Sequence, residues 1–164
     1  KTEIFNNKNI DFKLNINADK IYNNANFIKL NLKSKIQEGL IDTDSTKFRW
    51  KNYVNFEIKE SLIYVKDGEL VLDGKLKINI NELNEVYKFL LTPKNHRNKI
   101  KQIDFNFIYN FDKKTAELKD IKIDSKINQN VNKILNNIIL KKENLKNKVY
   151  FKKLLNQAIK SYSG

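Results

Sequence analysis

The most regular hydrophobic pattern in the chain lies at residues 103–111, where every second residue is apolar. These apolar positions are Ile103, Phe105, Phe107, Tyr109 and Phe111. The intervening residues are polar, with Ile108 as the one break. Period-two alternation is typical of a strand with one apolar and one polar face. A stripe with four aromatic rings needs a covering partner, either another layer of protein or a ligand, because exposed apolar patches of this size are uncommon.

The same alternation predicts a series of strands along the chain. We predict strands at roughly 10–17, 27–33, 53–59, 62–66, 69–80, 103–111 and 115–123. Residues 18–26 are predicted as a loop, 36–41 as a weaker strand, and 47–59 as either two short strands or one bulged strand. The Asp67-Gly68 dipeptide between two apolar runs predicts a tight hairpin. Asp73-Gly74 predicts a glycine bulge inside the strand at 69–80.

Apolar residues change to helical spacing in two regions. After Asn81 they predict a helix over 82–91 that is stopped by Pro93. From Asn128 onward they predict helices over 130–141 and 148–162. The apolar stripe of the last helix comprises Phe151, Leu154, Leu155, Ala158 and Tyr162.

These elements predict a mainly β protein with helices, of the α+β class. We expect a curved antiparallel sheet that forms a groove-like half-barrel, with one inserted helix and a C-terminal helical pair closing one end. Residues 1–164 are predicted to form a single domain: 1–124 the sheet with its inserted helix 82–91, and 128–164 the C-terminal helices. Since the chain lacks Met and starts at Lys1, we expect it to be a processed chain or a piece of a longer protein.

The net charge of +13 raises the question of a nucleic-acid partner. However, the lysines are spread along the chain and only Arg49 and Arg97 are arginines, although Arg makes most bidentate contacts to bases and phosphates. The joint abundance of Lys, Asn and Ile is also typical of an A·T-rich genome. We therefore do not expect nucleic acid as a partner.

The residues that usually carry chemistry are scarce. Cysteine is absent, which excludes disulfides and thiolate chemistry. His96 is the only histidine, and it lies in a polar loop after Pro93. No nucleophile elbow, Gly-rich phosphate loop or carboxylate ligand cluster occurs in the sequence. We predict a non-enzymatic protein with no catalytic residues, no metal site and no cofactor.

The aromatic stripe has two interpretations that the sequence leaves open. It either forms the core of a two-layer fold under the helices, or it lines an apolar groove for an acyl chain. For the groove we predict that one set of side chains shares a face: Phe56, Ile58, Leu76, Ile78, Phe105, Phe107 and Tyr109. The last helix is rich in lysine, and we predict contact with an anionic membrane surface by Lys148, Lys152, Lys153 and Lys160.

The second half of the chain resembles the C-terminal region of AsmA-like envelope proteins of Gram-negative bacteria. The run at 72–78, the helix ending at 87–90 and the basic loop at 93–97 occur in the same order. The strand at 103–112 and the run at 118–124 follow, and the closing 154–164 is similar to the C-terminus of such a protein.

This resemblance implies a periplasmic, β-rich part of a protein anchored in the inner membrane. It implies a role in phospholipid transfer or outer-membrane assembly through an apolar groove. Expected partners are phospholipid or another acyl-chain lipid, an anionic membrane surface and other envelope proteins. The alternative from another class is a basic scaffold or adaptor domain that binds an anionic polymer or a partner protein.

Overall fold

A computed structural model describes residues 11–22, 24–136 and 138–162. The strands in these ranges are β1 (Asp11–Ile21), β2 (Asn24–Gln37), β3 (Leu40–Asp42), β4 (Thr46–Trp50), β5 (Val54–Lys66), β6 (Glu69–Ile80), β7 (Gln102–Asn110), β8 (Thr115–Ile123), β9 (Lys126–Ile127) and β10 (Leu140–Lys141). The α-helices are α1 (Leu83–Leu90), α2 (Gln129–Leu135), α3 (Lys142–Lys146) and α4 (Lys148–Ser161), and a 3-10 turn covers Lys94–His96.

The strands form one antiparallel sheet in the order β1-β2-β3-β5-β6-β7-β8-β10. Strand β4 continues from β3 and pairs with β2 and β5, and β9 pairs with β8. The sheet is curved but does not close into a barrel. The predicted α+β class with a curved antiparallel sheet is confirmed.

Some strands have the bounds predicted from the sequence pattern, whereas other strands are longer than predicted. Strands β6 and β8 have the predicted bounds. The prediction of a loop at 18–26 is wrong, because β1 and β2 continue through most of it, with Ala18 opposite Leu30 and Lys20 opposite Ile28. Polar side chains are tolerated there because β1 lies at the sheet edge. Ile10, the first residue of the predicted strand 10–17, lies outside the described residues.

Three one-residue bulges change the phase of the apolar pattern within long strands. The pairing shifts by one residue at Lys29 in β2, at Glu60 in β5 and at Asp120 in β8. Each of these residues has a positive φ, between 48° and 54°. A bulge inserts one residue and so reverses which side chains face each side of the sheet. The predicted strands 53–59 and 62–66 are therefore two halves of β5.

The predicted glycine bulge at Asp73-Gly74 is wrong, because the extra residue lies in the partner strand β5. Gly74 is instead required by the close approach of that bulge. A Cβ built on Gly74 would lie 2.7 Å from the Cβ of Ser61 and 3.2 Å from its Cα. Ser61 itself is 1% exposed, and its hydroxyl lies 2.8 Å from that of Thr43. The Asp67-Gly68 hairpin is confirmed, with positive φ at both residues.

The predicted helix over 130–141 is wrong at its C-terminal half. Helix α2 ends at Leu135, and the chain then extends so that Leu140 pairs with Ala116 at the outer edge of β8. Farther along this edge, the side chain of Asn132 makes two hydrogen bonds to Ile121. Its Oδ1 accepts from Ile121 N–H at 2.8 Å, and its Nδ2 donates to Ile121 C=O at 2.7 Å. The side chain thus replaces a neighbouring strand, since buried backbone groups need partners.

The main core lies between the helices and the β7–β8 end of the sheet. Its buried residues are Ile100, Ile121, Ile123, Val131, Leu135, Leu140, Leu154 and Ala158. Helix α1 joins α4 through Asn156, whose amide donates to Leu90 C=O and whose oxygen accepts from the Thr92 hydroxyl at 2.6 Å. The helices therefore close one end of the sheet.

A buried tyrosine fixes the loop that follows α1. Tyr87 is buried, and its hydroxyl donates to the carbonyl oxygen of Asn98. The amide of Asn98 in turn donates to the carbonyl oxygen of Tyr162 after α4. Burial raises the pKa of Tyr87 above its usual 10.0, although the charge of nearby Arg97 partly opposes this.

The contact at Gly74 predicts a specific steric penalty. Replacing Gly74 with Ala should lower the free energy of unfolding by about 1–3 kcal/mol, because the new methyl group overlaps Ser61. Urea denaturation would measure the loss. The same substitution in a Ser61→Gly background should cost less, because the obstructing Cβ is gone. Equal losses in both backgrounds would contradict this explanation.

The buried Tyr87 predicts an alkaline limit to stability. Its folded-state pKa is higher than the unfolded value, so the folded protein binds more protons above pH 10. The contribution of Tyr87 to stability should be complete below about pH 10 and decrease as the pH rises toward the folded-state pKa. Urea denaturation at several pH values, compared between the unmodified chain and Tyr87→Phe, would isolate this effect from lysine titration. Parallel pH profiles for the two proteins would contradict it.

Candidate functional site

The register of the ladder aligns one apolar side chain from each of eight of the ten strands. Side chains directly opposite each other in an antiparallel ladder point to the same face. From β1 to β10 this row comprises Phe12, Ile36, Ile41, Ile63, Leu72, Tyr109, Ala116 and Leu140. We call the side of the sheet that carries this row the apolar face. Its row crosses eight strands without a charged residue.

The seven predicted groove residues all lie on the apolar face. Phe56 is opposite Ile78, and Ile58 is opposite Leu76, which in turn is opposite Phe105. The same register places Phe107 opposite Gly74 and Tyr109 opposite Leu72. These residues come from three adjacent strands, β5, β6 and β7. The geometry thus brings the whole predicted set together.

The aromatic stripe of β7 is divided between the core and the open part of this face. Ile103 and Phe105 pack against the helical core. Phe107 and Tyr109 are half-buried farther along the strand. Phe111 lies beyond the end of β7 and is 37% exposed. The core interpretation therefore holds for Ile103 and Phe105, and the groove interpretation stays a prediction for Phe107 and Tyr109.

An aromatic cluster on the apolar face extends the predicted set into β2 and β4. The rings of Phe48 and Phe56 stack with centroids 4.7 Å apart, and Phe27 lies 5.8 Å from Phe48. Trp50 lies 4.7 Å from Phe89 of α1. The alternation of Phe48 and Trp50 is a sequence signal for this face, but Phe27 reaches it only because of the bulge at Lys29.

The four predicted membrane-surface lysines lie on α4 but differ in their surroundings. Lys148, Lys153 and Lys160 are exposed. Lys152 is half-buried, and its Nζ lies 4.2 Å from the ring centroid of Phe89. On the opposite side of the helix, Leu154 and Ala158 are buried in the core. Helix α4 is therefore docked on its own domain, with three of these lysines directed to solvent.

The opposite side of the sheet, which we call the polar face, is a lattice of lysines and acids. Lys47 and Lys59 contact the Glu57 carboxylate at 3.1 and 3.4 Å. Partial burial raises the pKa of Glu57, but hydrogen bonds from these two lysines outweigh it, so that the pKa lies below its usual value. Lys75 pairs with Glu60 in the same way. Part of the positive charge of this face is thus paired locally.

Two cavities open mainly on the polar face, and three predicted groove residues also contribute to their lining: Phe107 to the first, and Leu76 and Phe105 to the second. The first, of about 570 Å³, is lined by Leu40, Leu62, Tyr64 and Ile108 together with polar side chains. The second, of about 530 Å³, is lined largely by lysines and acids of β5 to β8. Ile108, the break in the alternation, therefore contributes to an apolar patch on the polar face.

The described part of the chain bears on two further kinds of feature, a metal site and a membrane-spanning helix. His96 is half-buried in the 3-10 turn. Among residues 11–22, 24–136 and 138–162, no three His, Asp or Glu side chains are grouped so that they could hold a metal ion. Over the same ranges, every helix is too short or too polar to cross a membrane.

Comparison of the chain with models of protein families, with curated proteins and with solved structures found no match. The resemblance to AsmA-like proteins therefore stays a prediction, and function has to be inferred from the geometry of the apolar face.

Proposed function

We propose that the chain is a non-enzymatic lipid-binding module whose apolar face holds the acyl chains of phospholipid. The observation that carries this proposal is the apolar row across eight strands. In this proposal the module belongs to an AsmA-like protein anchored in the inner membrane. It lies in the periplasm and contributes to phospholipid transfer or outer-membrane assembly.

The dimensions of the row fit an extended acyl chain. Eight strands at about 4.8 Å spacing give a row of about 34 Å. The hydrocarbon core of a bilayer, which contains two layers of acyl chains, is about 30 Å thick. The row is therefore longer than one acyl chain of a phospholipid.

The partial exposure of the apolar row to water favours the binding of a lipid. Phe12, at the β1 end, is 48% exposed, whereas Leu140, at the other end, is 3% exposed. The residues between them are half-buried. An acyl chain along the row would remove apolar surface of both molecules from water, at about 0.8 kcal/mol per buried methylene group.

Helix α4 supplies the proposed contact with anionic lipid. Its exposed lysines lie on the part of the domain where the helices cover the sheet. Each lysine close to an anionic surface contributes about 1 kcal/mol to binding. Because Leu154 and Ala158 hold α4 in the core, we propose that the helix stays docked while its lysines contact headgroups.

The lipid-binding proposal predicts different effects for two adjacent apolar residues of β5. Ile63 lies in the apolar row, whereas Leu62 points to the polar face and is 40% exposed. Ile63→Asp should abolish co-purification of phospholipid, because it places a charge in the path of the acyl chain, whereas Leu62→Asp should retain it. Native mass spectrometry of the proteins purified from cells would measure the bound lipid.

Phe107→Asp should have the same effect as Ile63→Asp, with circular dichroism to show that each variant is folded. Lipid bound equally by Ile63→Asp and Leu62→Asp would contradict the proposal. A lipid-free protein that binds DNA at physiological salt would favour the alternative of a basic adaptor.

The membrane contact predicts salt-sensitive binding that depends on α4. Replacing Lys148, Lys153 and Lys160 with Gln should reduce flotation with anionic vesicles at low salt by at least about tenfold, since about 1 kcal/mol is lost per lysine. A matched control replaces three exposed lysines outside α4, namely Lys33, Lys66 and Lys114. Substitution is preferable to deleting α4, because deletion would open the core. Equal flotation of both triple variants would show that α4 has no special role.

A further inference from the structure

Among the described residues, which begin at Asp11, no strand pairs with the outer side of β1 along its full length. Strand β1 is 11 residues long and pairs on one side with β2. Of its apolar-face side chains, Phe12, Leu14 and Ile16 are between 38% and 48% exposed. A long edge strand presents unpaired backbone groups that can pair with another strand. β1 contains no proline, and its pairing with β2 is regular from Asp11 to Lys20.

The other edge of the sheet is closed by the chain itself. The short strands β9 and β10 pair with β8, and Asn132 bonds to the backbone of Ile121 between them. Within the part of the chain that the structure describes, the sheet can therefore be extended at β1 and not at β8.

The charges of β1 favour pairing with a second copy of the same strand. Lys13 lies opposite Lys35 of β2, and like charges opposite each other are unfavourable. Asp19 is 82% exposed at its side chain, even though it is paired with Lys29. An antiparallel pairing centred on Ile16 would place Lys13 of each copy opposite Asp19 of the other. Because the dimer would have two-fold symmetry, this pairing of Lys13 with Asp19 would occur at two positions.

The same register also matches the middle of the apolar face, whereas at the strand ends it places Phe12 opposite Lys20 and Asp11 opposite Ile21. Ile16 would lie opposite Ile16 of the second copy, and Leu14 would lie opposite its Ala18. Polar residues would meet on the other face, where Asn15 would lie opposite Asn17. All 11 residues of β1 would pair with the second copy. A pairing centred on any other residue would leave part of the strand unpaired.

We propose that β1 is a dimerisation edge, at which two copies of this chain join their sheets antiparallel about Ile16. The apolar faces of the two copies then become one continuous surface across the new seam. This inference concerns assembly, and it does not depend on which ligand the apolar face binds.

Charge reversal at β1 tests the proposal. Sedimentation velocity of the full chain, from micromolar to near-millimolar concentration, should show a reversible dimer. Lys13→Asp and Asp19→Lys should each weaken self-association by about tenfold, because each places like charges opposite each other at two positions. Mixing the two variants should restore the dimer as a heterodimer, in which every Asp meets a Lys.

Lys33→Asp is the matched control, because it makes the same charge change on β2, away from the proposed seam. It should leave self-association unchanged. A chain that stays monomeric over the whole range would overturn the proposal. So would a dimer that is insensitive to both β1 reversals, or a mixture of the two variants that does not associate.

Discussion

The apolar face depends on three bulges. The alternation of apolar and polar residues changes phase within β2, β5 and β8, and each bulge keeps the apolar side chains on the same face of the sheet. In β5 the apolar-face residues are Phe56 and Ile58 before the bulge and Ile63 and Val65 after it, so that even positions give way to odd ones. In β8 the same change occurs at Asp120, and in β2 at Lys29. Without these extra residues, half of each strand would direct its apolar side chains to the polar face. Each bulge places a non-glycine residue at positive φ, a conformation that costs about 1–2 kcal/mol.

The bulge of β5 also determines what its neighbours can be. Ser61 and Gly74 are buried against each other, and Thr43 bonds to Ser61 through both its backbone and its hydroxyl. Small residues are required here because two strands approach closely. The absence of large side chains at this point separates the apolar row at Ile63 from the aromatic cluster at Phe56. In β5 and β6 the face is thus divided into two apolar bands with small residues between them, whereas in β7 and β8 Phe107 and Leu118 lie between the bands.

Core packing and the lipid binding that we propose use the same face of the sheet in different places. The helices cover the end near β7 and β8, where Ile121 and Ile123 are buried, and leave the side chains of β1 partly exposed. This gradient explains how one sheet can be both stable and open. The covered end supplies the cohesive core, and the remaining strands carry the surface that we propose binds lipid. Some lysines of the polar face are paired with acids such as Glu57, and the net charge of +13 does not by itself identify a partner.

The sequence by itself determined the class of the fold and most of the strands, because local alternation depends only on the side chains of each segment. It located β6 and β8 to the residue, the Asp67-Gly68 hairpin, and the residues that share the apolar face in β5, β6 and β7. Tertiary structure decided where the phase changes, since the steric need for Gly74 arises from Ser61 of the neighbouring strand. It also decided that Phe27 joins the aromatic cluster. The end of α2 at Leu135 depends on the pairing of Leu140 with β8, and the polar residues near Ala18 form a strand because they pair with β2. These features depend on pairing between distant segments, for which a single segment carries no signal.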